Sequence, residues 1–244
     1  MERIKYGKES QYGNELKYRN ELKYQCSEQQ LQILEMRIRH LCPPDPHAGE
    51  DGKYTVRSLY FDDYRNSCYY DNESGVNRRE KFRIRFYDGK TDVLMLECKQ
   101  KINGKNRKYA CNISREQCES ILRGRFVLPS GADPVLNKFF LQYRVGFYRP
   151  KVIVEYERTP FLYRAGNVRI TFDRNIAASS RVLDFLKPRL LARPLMPEGM
   201  QLLEVKYDEL LPDFIYNELQ LDALQLSAYS KYYTARRVTG NFCI

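Results

Sequence analysis

The sequence predicts an α+β protein whose antiparallel sheet closes into a β-barrel, or tunnel, of about eight strands with helices packed outside. Segments of about six to eight residues that alternate apolar and polar positions recur along the chain. The turn signals Asp88-Gly89 and Asn103-Gly104 join neighbouring segments into hairpins. Helical patterns separate groups of strands, and no long Gly/Ser linker divides the chain. We therefore expect one domain over residues 1–244, with a core at about residues 18–237.

The first half of the chain begins with an extended segment at residues 14–24. A helix follows. It is expected to begin at a capping box formed by Ser27 and Gln30 and to end at Pro43-Pro44. The loop at residues 62–77 is read as a packed loop rather than as a cover over a tunnel entrance. Two helices come later, one from Ser114 to Gly124 and one from Asp133-Pro134 to Gly146. Strands are expected at residues 54–61, 81–87, 93–100 and 109–113.

The second half repeats this organisation. A hairpin is expected around Ala165-Gly166-Asn167. Two helices are expected at residues 212–226 and 228–237. Strands are expected at residues 151–157, 161–163, 168–172 and 202–207.

The charge balance predicts an anionic partner. The chain has 41 basic and 31 acidic residues, a net charge of +10, which favours nucleic acid, an acidic surface or a phosphate-rich small molecule. No apolar run reaches the length of about 18 residues that a membrane helix needs, and residues 1–24 are too polar for a signal peptide. We expect no membrane partner and a cytoplasmic location.

The cysteines and histidines exclude several kinds of site. The seven cysteines contain no C-x-x-C pair, which argues against a disulfide scaffold and a zinc ribbon. The two histidines form no metal motif, so any metal is expected to be a hard cation held by carboxylates. Neither a P-loop nor a dinucleotide-binding fingerprint occurs.

Five predicted strands carry charged residues on one face and apolar residues on the other. Alternate residues of a strand share a face, so Phe82, Ile84 and Phe86 lie opposite their charged neighbours. The polar positions are Glu21 and Lys23; Lys81, Arg83 and Arg85; Glu97, Lys99 and Lys101; Arg169, Thr171 and Asp173; and Glu204 and Lys206.

These charged faces have two interpretations. An ordinary half-exposed sheet would place them in water. Like charges on one sheet repel, however, and a bound polyanion would relieve that repulsion. If helices cover the apolar faces, the charged faces look into a barrel roughly one small ligand wide. Because dry unpaired charges cost on the order of several kcal/mol each, we expect a wet lumen that holds a linear chain of phosphates and a divalent cation.

Eight short motifs in order resemble a known family. Together they are similar to the VTC-type polyphosphate polymerase domain of the triphosphate tunnel (CYTH-like) superfamily, over roughly residues 18–237. The motifs are Tyr18-Arg19-Asn20-Glu21-Leu22-Lys23-Tyr24, Ser58-Leu59-Tyr60-Phe61-Asp62, Lys81-x-Arg83-x-Arg85, Leu96-Glu97-Cys98-Lys99, Tyr156-Glu157-Arg158, Val168-Arg169-Ile170, Leu203-Glu204-Val205-Lys206 and Ser230-Lys231-Tyr232.

The resemblance implies an eight-stranded tunnel that binds the triphosphate of ATP with Mn2+ or Mg2+ and adds its terminal phosphoryl group to polyphosphate. It implies catalytic roles for Arg83, Arg85, Arg158 and Arg169. Alternation alone leaves the face of Arg158 open, and Lys231 lies on a predicted helix that would plug the tunnel. The expected phosphate-binding residues are Lys23, Lys81, Lys99, Lys101, Lys206 and Lys231, and the expected metal ligands are Glu204, Glu21 and Glu97.

Two alternatives remain open at this point. The first is a tunnel triphosphatase that hydrolyses a nucleoside triphosphate or tripolyphosphate, with Glu21, Glu97 or Glu155 activating water. The second is a non-catalytic module that binds polyphosphate or RNA through the basic stripes and some of the 20 tyrosines. The expected partners are ATP and polyphosphate or another short polyphosphate anion, rather than nucleic acid.

Overall fold

A computed structural model describes residues 18–221 and 224–240 of the chain. Over these residues the protein combines six helices with a curled antiparallel sheet of ten strands. In chain order the elements are β1 (Asn20–Ser27), α1 (Glu28–Leu41), β2 (Tyr54–Asp62), α2 (Ser67–Glu73), β3 (Arg78–Tyr87), β4 (Leu94–Ile102), β5 (Lys105–Ile113), α3 (Arg115–Leu122), α4 (Pro134–Arg144), β6 (Arg149–Tyr163), β7 (Val168–Ser179), β8 (Arg193–Pro194), β9 (Met200–Tyr207), α5 (Asp213–Glu218), β10 (Gln225–Leu226) and α6 (Lys231–Thr239).

The sheet curls far enough to bring the start of β1 against β5 at one point. Its strand order is β10-β1-β9-β7-β6-β2-β3-β4-β5, with β8 paired to β7. Arg19, just before β1, forms a bridge with Asn106 of β5, in which each backbone N–H donates to the other's carbonyl at 2.9 and 3.1 Å. The predicted antiparallel α+β sheet is therefore confirmed. Among the described residues β1 and β5 share this bridge and no paired ladder, so complete barrel closure stays a prediction.

Two apolar clusters cover the outer face of the sheet. One lies under α3 and α4 against β3, β4 and β6, with Phe82, Ile84 and Phe139 fully buried. The other lies under α1 and α5 against β7 and β9, with Leu31, Phe172 and Val205 at 0% exposure. These helices bury the apolar half of each alternating strand, which leaves the charged half on the inner face.

Helix α6 is the exception to the prediction that the helices pack outside, and its position agrees with the separate prediction that the helix of Lys231 fills the inside of the sheet. It lies against the inner face, where Tyr232 and Ala235 pack in one cluster with Val152, Val154 and Leu202. Tyr232 donates a hydrogen bond to the buried Asp62, and Arg236, 1% exposed, donates to Tyr232 at 3.0 Å. The inner face is therefore apolar where the body of α6 packs on it. It is charged at the start of that helix, around Lys231.

Several local predictions are confirmed. Ser27 and Gln30 form the capping box that begins α1, and Ser114 and Gln117 form a second box at α3. Asp88-Gly89 and Asn103-Gly104 make hairpin turns in which all four residues have positive φ. The segment at residues 62–77 is packed, since Cys68 and Tyr69 are buried, although it contains the unpredicted helix α2. Residues 14–17 of the first predicted segment lie outside the described residues.

Other element predictions are wrong. Residues 151–163 belong to one strand of 15 residues instead of two strands. The helix predicted at 212–226 ends at Glu218, because Gln225 and Leu226 pair with Gln25 and Tyr24 of β1. Arg37 of α1 donates to the carbonyl of Gln220 at 3.2 Å and so gives this backbone oxygen a hydrogen-bond partner just after α5 ends. In the described part of the chain, no helix is long and apolar enough to cross a membrane.

Candidate functional site

The strand register gathers the predicted charged positions on the inner face. Arg83 lies opposite Glu97, Arg158 opposite Asp173, and Glu204 opposite Lys23. All three pairs lie in one curled sheet. The charged side chains of β1, β3, β4, β6, β7 and β9 therefore point toward the same inner space. The face of Arg158, which alternation left open, is the inner one, because Asp173 shares a face with Arg169 and Thr171 on β7.

A central cluster of charged side chains surrounds Glu204, which is 7% exposed. Its carboxylate lies 2.8 Å from both Lys206 and Lys231, 3.4 Å from Arg158 and 3.8 Å from Lys23. Lys206 and Lys23 also lie 3.4 and 3.7 Å from Glu21. We call this set the central cluster; its members are Glu21, Lys23, Arg158, Asp173, Glu204, Lys206 and Lys231.

Asp173 is a member of the central cluster to which the sequence assigned no role. Both its oxygens accept hydrogen bonds from Arg158 at 2.7 Å, and Lys231 lies 2.6 Å away. Its side chain has 0% exposure. A bidentate fork of this kind fixes the guanidinium plane, so Asp173 orients Arg158 and anchors the first turn of α6. The alternation Arg169, Thr171, Asp173 was the signal that could have indicated it.

Arg83 and Arg85 are held rigidly beside the central cluster. Arg83 Nε donates to Glu97 at 2.6 Å, and its Nη1 donates to the Tyr60 hydroxyl at 3.2 Å. Arg85 donates from Nε to Ser58 at 3.0 Å and from Nη2 to the Tyr156 hydroxyl at 3.2 Å. The partners on β2 and β6 fix both guanidinium groups before any ligand arrives.

Arg169 is placed apart from the other predicted catalytic residues. Its Nη2 donates to Asp45 at 2.8 Å and to the Tyr54 hydroxyl at 2.9 Å, and its side chain is 34% exposed. In the described ranges no ion pair joins it to a carboxylate of the central cluster. Asp45 lies in the Pro-rich loop after α1, which a bridge between Pro44 and Phe161 holds against β6. Sequence reasoning missed Asp45 because a loop has no alternation to indicate its direction.

The three remaining predicted lysines lie at the β3–β4 side of the inner face. Lys99 forms an ion pair with Glu21 at 2.8 Å and so touches the central cluster. Lys81 donates to the side-chain oxygen of Asn72 on α2 at 2.9 Å. Lys101 lies opposite both Arg79 and Asn106.

The cations of the inner face control the acidity of its carboxyl groups. Burial alone would raise the pKa of Glu204, but Lys206, Lys231, Lys23 and Arg158 outweigh it and hold that pKa well below its ordinary value. Glu21 behaves in the same way beside Lys23 and Lys99, and Arg83 and Arg85 lower the pKa of the buried Glu97. These carboxylates are ionised at neutral pH and are weak proton acceptors.

In two lysines burial outweighs the nearby opposite charges and favours the neutral form. Burial lowers the pKa of Lys206 to about 8 despite Glu204 and Glu21, and burial together with Arg79 lowers that of Lys81 to about 7. A bound polyanion favours the charged form of both, so binding of tripolyphosphate at about pH 8 is expected to take up protons. Affinity in the absence of metal should then fall as the pH rises from about 7 to 9.

Isothermal titration in two buffers of different ionisation enthalpy measures this uptake directly. Lys81→Met should reduce it, whereas Lys90→Met, at an exposed hairpin turn, should not. Binding heats that do not depend on the buffer would contradict the lysine assignment.

The carboxylate oxygens of the inner face are donors of the kind that a hard divalent cation prefers. In the described part of the chain, no group of three or more His, Cys, Asp or Glu side chains is arranged to hold a metal. Glu204 and Glu21 nevertheless face the same two lysines, and carboxylate oxygens are hard donors. Mg2+ is commonly bound by one or two carboxylates together with substrate phosphates, which matches this donor set.

Three solved structures are similar to the chain at low sequence identity. A candidate adenylate cyclase from Bacillus halodurans is 14% identical with a TM-score of 0.48, and the match covers 83% of this chain and 87% of that one. PH1819 protein from Pyrococcus horikoshii OT3 is 14% identical with a TM-score of 0.47, covering 92% and 100%. PH1012 protein from the same organism is 12% identical with a TM-score of 0.46, covering 87% and 96%.

A search of curated proteins finds no match to the chain. The model of the VTC domain matches residues 18–239, which include all the strands and helices described above. That match spans the whole inner face, from Glu21 on β1 to Lys231 on α6. The chain belongs to the VTC domain family.

Proposed function

We propose that this protein is a phosphotransferase of the polyphosphate polymerase type, which moves the γ-phosphoryl group of ATP onto a polyphosphate chain inside a closed tunnel. The observation that carries the proposal is the central cluster, in which Arg158, Lys231 and Lys206 converge on one buried carboxylate. Membership of the VTC domain family supports the same substrate class. The proposed location is the cytoplasm; the six described cysteines are free thiols, which suits a reducing compartment.

In the proposed reaction the phosphates bind among side chains that are already oriented. The transferred phosphoryl group spreads its charge over its equatorial oxygens. Arg83 and Arg85 present guanidinium groups fixed by Tyr60 and Tyr156, so little reorganisation is needed as that charge develops. Arg158 and Lys231 would hold neighbouring phosphates, and Arg169 would act at the wider, more exposed part of the inner face.

Glu204 and Glu21 are the residues that would hold Mn2+ or Mg2+. When bound, the ion supplies charge neutralisation between adjacent phosphate oxygens. Glu97 is a weaker candidate ligand, because it pairs with Arg83 and Lys108 and shares no ion-pair partner with Glu204 and Glu21.

The low pKa values of the inner-face carboxyl groups favour phosphoryl transfer to a phosphate over transfer to water. Water needs a general base, and the best base has a pKa near the working pH. Cations keep the pKa values of Glu21 and Glu97 below their ordinary range, so both are poor bases. Glu155 lies on the other face of β6, 2.5 Å from Arg57. A phosphate oxygen at the end of a polyphosphate chain is already ionised and needs no base.

The tyrosines of the inner face argue against the RNA-binding alternative. Tyr60, Tyr156 and Tyr232 are at most 6% exposed. The hydroxyls of Tyr60 and Tyr156 accept hydrogen bonds from Arg83 and Arg85. Their rings therefore offer no open face on which a base could stack.

Incubation with ATP and Mn2+ or Mg2+, followed by gel separation of the products, tests the proposal. We expect long polyphosphate and ADP in matched amounts, and no synthesis when the metal is chelated. Release of free phosphate alone would support the triphosphatase. Tight binding of tripolyphosphate without turnover would support the binding module.

A further inference from the structure

Helix α4 carries apolar residues on two sides, although the described fold covers only one of them. Leu136, Phe139 and Tyr143 are buried in the cluster over β3, β4 and β6. Leu141 and Val145 face solvent instead, with exposures of 58% and 69%. A surface helix ordinarily presents polar residues on its outer side, so packing among the described residues does not explain this second apolar side.

A groove runs along the second apolar side of α4. Its volume is about 560 Å³. One wall belongs to α4, and the other to the segment at residues 125–129 that follows α3, where Val127 is 78% exposed. Phe126 and Phe140 join the two walls, with their rings edge to face at 5.7 Å between centroids. We call this the α4 groove; its lining residues are Phe126, Val127, Asn137, Phe140, Leu141, Arg144 and Val145.

The charge around the α4 groove is positive. Arg144 lines the groove, Arg125 lies two positions before Val127, and both arginines are exposed. With the residues that the structure describes, neither of them forms an ion pair. The described lining contains no Asp or Glu, and Asp133 at the start of α4 is engaged as its cap, accepting from the N–H of Val135 at 2.7 Å. An occupant with acidic groups at its flanks would complement the groove in charge.

The length of the α4 groove fits about two turns of a helix. Its members on and just after α4 extend from Asn137 to Val145, roughly 12 Å along the helix axis. A helix that docks in an apolar groove inserts side chains at positions i, i+3 or i+4, and i+7. Those positions span nearly the same distance, so one amphipathic helix can fill the groove from end to end.

Two other kinds of occupant match the groove less closely. A second copy docked by the same surface would place its own Arg125 and Arg144 against those of the first, because a two-fold contact pairs identical surfaces. A lipid bilayer takes up protruding apolar side chains. Phe126 is recessed instead, with an exposure of 2%.

We infer that the α4 groove is a docking site for an amphipathic helix of another protein, which places its apolar stripe in the groove and Asp or Glu side chains beside Arg125 and Arg144. The apolar anchors supply most of the affinity, and the arginines supply selectivity for acidic sequences. The groove lies outside the sheet, on the far side of the apolar cluster from the inner face, so the inference is independent of the proposed function.

Selection from a displayed library of random peptides tests the inference without assuming a partner. Wild-type protein is immobilised, and enriched peptides are synthesised and titrated by fluorescence anisotropy. We expect these peptides to be acidic, with apolar residues at helical spacing. Leu141→Asp/Val145→Asp should weaken their binding by about tenfold or more. The matched control is Met36→Asp/Leu210→Asp, at side chains with exposures of 59% and 70%, which should bind them as the wild type does.

Charge reversal separates the role of the arginines from that of the apolar walls. Arg125→Glu/Arg144→Glu should weaken the acidic peptides and strengthen versions of them in which Lys replaces every Asp and Glu. The wild type should have the reverse preference, and that preference should diminish as salt is raised from about 50 to 500 mM.

Several results would overturn the inference. They are a selection that enriches no sequence, enrichment of basic peptides, and peptide binding that Leu141→Asp/Val145→Asp does not change. A wild-type dimer in sedimentation that this variant loses would make the occupant a second copy. Binding to phosphatidylserine vesicles that this variant loses would make it a lipid surface.

Thermal unfolding checks that the variants fold. All four substituted positions around the groove are exposed, so the midpoints should stay close to that of the wild type. If Leu141→Asp/Val145→Asp does not fold, the exchange of preference in Arg125→Glu/Arg144→Glu tests the site by itself. The same affinity for acidic and Lys-substituted peptides in that variant and in the wild type would then contradict the inference.

Discussion

Glu204→Gln is expected to slow polyphosphate synthesis from ATP by about 100- to 1,000-fold while tripolyphosphate binds at least as tightly as before. Glu204 is held ionised by Lys206, Lys231, Lys23 and Arg158, so the amide removes a full negative charge. The four cations then lose the carboxylate that competes with phosphate for them, which favours phosphate binding. A divalent ion, by contrast, loses its best-placed ligand. Binding and turnover should therefore change in opposite directions.

Product gels give the rate, and titration with metal-free tripolyphosphate gives the affinity. Glu198→Gln makes the same chemical change at an exposed turn and should alter neither. Parallel losses of rate and affinity in Glu204→Gln would mean that Glu204 only maintains the shape of the inner face, and its assignment as a metal ligand would be withdrawn.

Asp173→Asn is expected to lower the free energy of unfolding by about 3–5 kcal/mol. The substitution keeps the side-chain volume but leaves Arg158 and Lys231, both 7% exposed, with Glu204 as their shared carboxylate partner. A buried cation that loses its partner cannot regain its hydration, and that loss is the source of the penalty. Urea unfolding of the ligand-free protein measures it.

Tripolyphosphate should restore part of the stability that Asp173→Asn loses, because the anion replaces the missing charge. The gain on adding it should exceed the gain in the wild type. Asp92→Asn, in an exposed loop, provides the reference for a simple carboxylate-to-amide change. A loss no larger than in Asp92→Asn would show that Asp173 does not hold Arg158 and Lys231 in place.

Strand alternation was enough to predict which face most of the charged residues occupy. The positions grouped as Lys81, Arg83 and Arg85, and those grouped as Arg169, Thr171 and Asp173, share the inner face in the register. A period of two is a local property of the backbone, so it survives whatever the rest of the chain does. The capping boxes and the two hairpin turns are local for the same reason.

Features that depend on distant partners were not predictable in this way. The inward face of Arg158 follows from its pairing with Asp173, and the register irregularity between Glu155 and Glu157 places its extra residue on β7, between Arg174 and Ala177. Asp45 reaches Arg169 across 124 positions of sequence. The end of α5 depends on β10 pairing with β1, a tertiary contact that overrides helical periodicity.

The seat of α6 within the curve of the sheet has a consequence for the order of folding. Its anchor, the bond from Tyr232 to Asp62, spans 170 positions, and α6 packs on β6 and β7, which must already be paired. Closing so long a loop has a large entropic cost. Contacts with the sheet offset that cost only after the sheet has formed. We therefore expect Lys231 to join Glu204 and Asp173 late in folding, so that docking of α6 completes the central cluster.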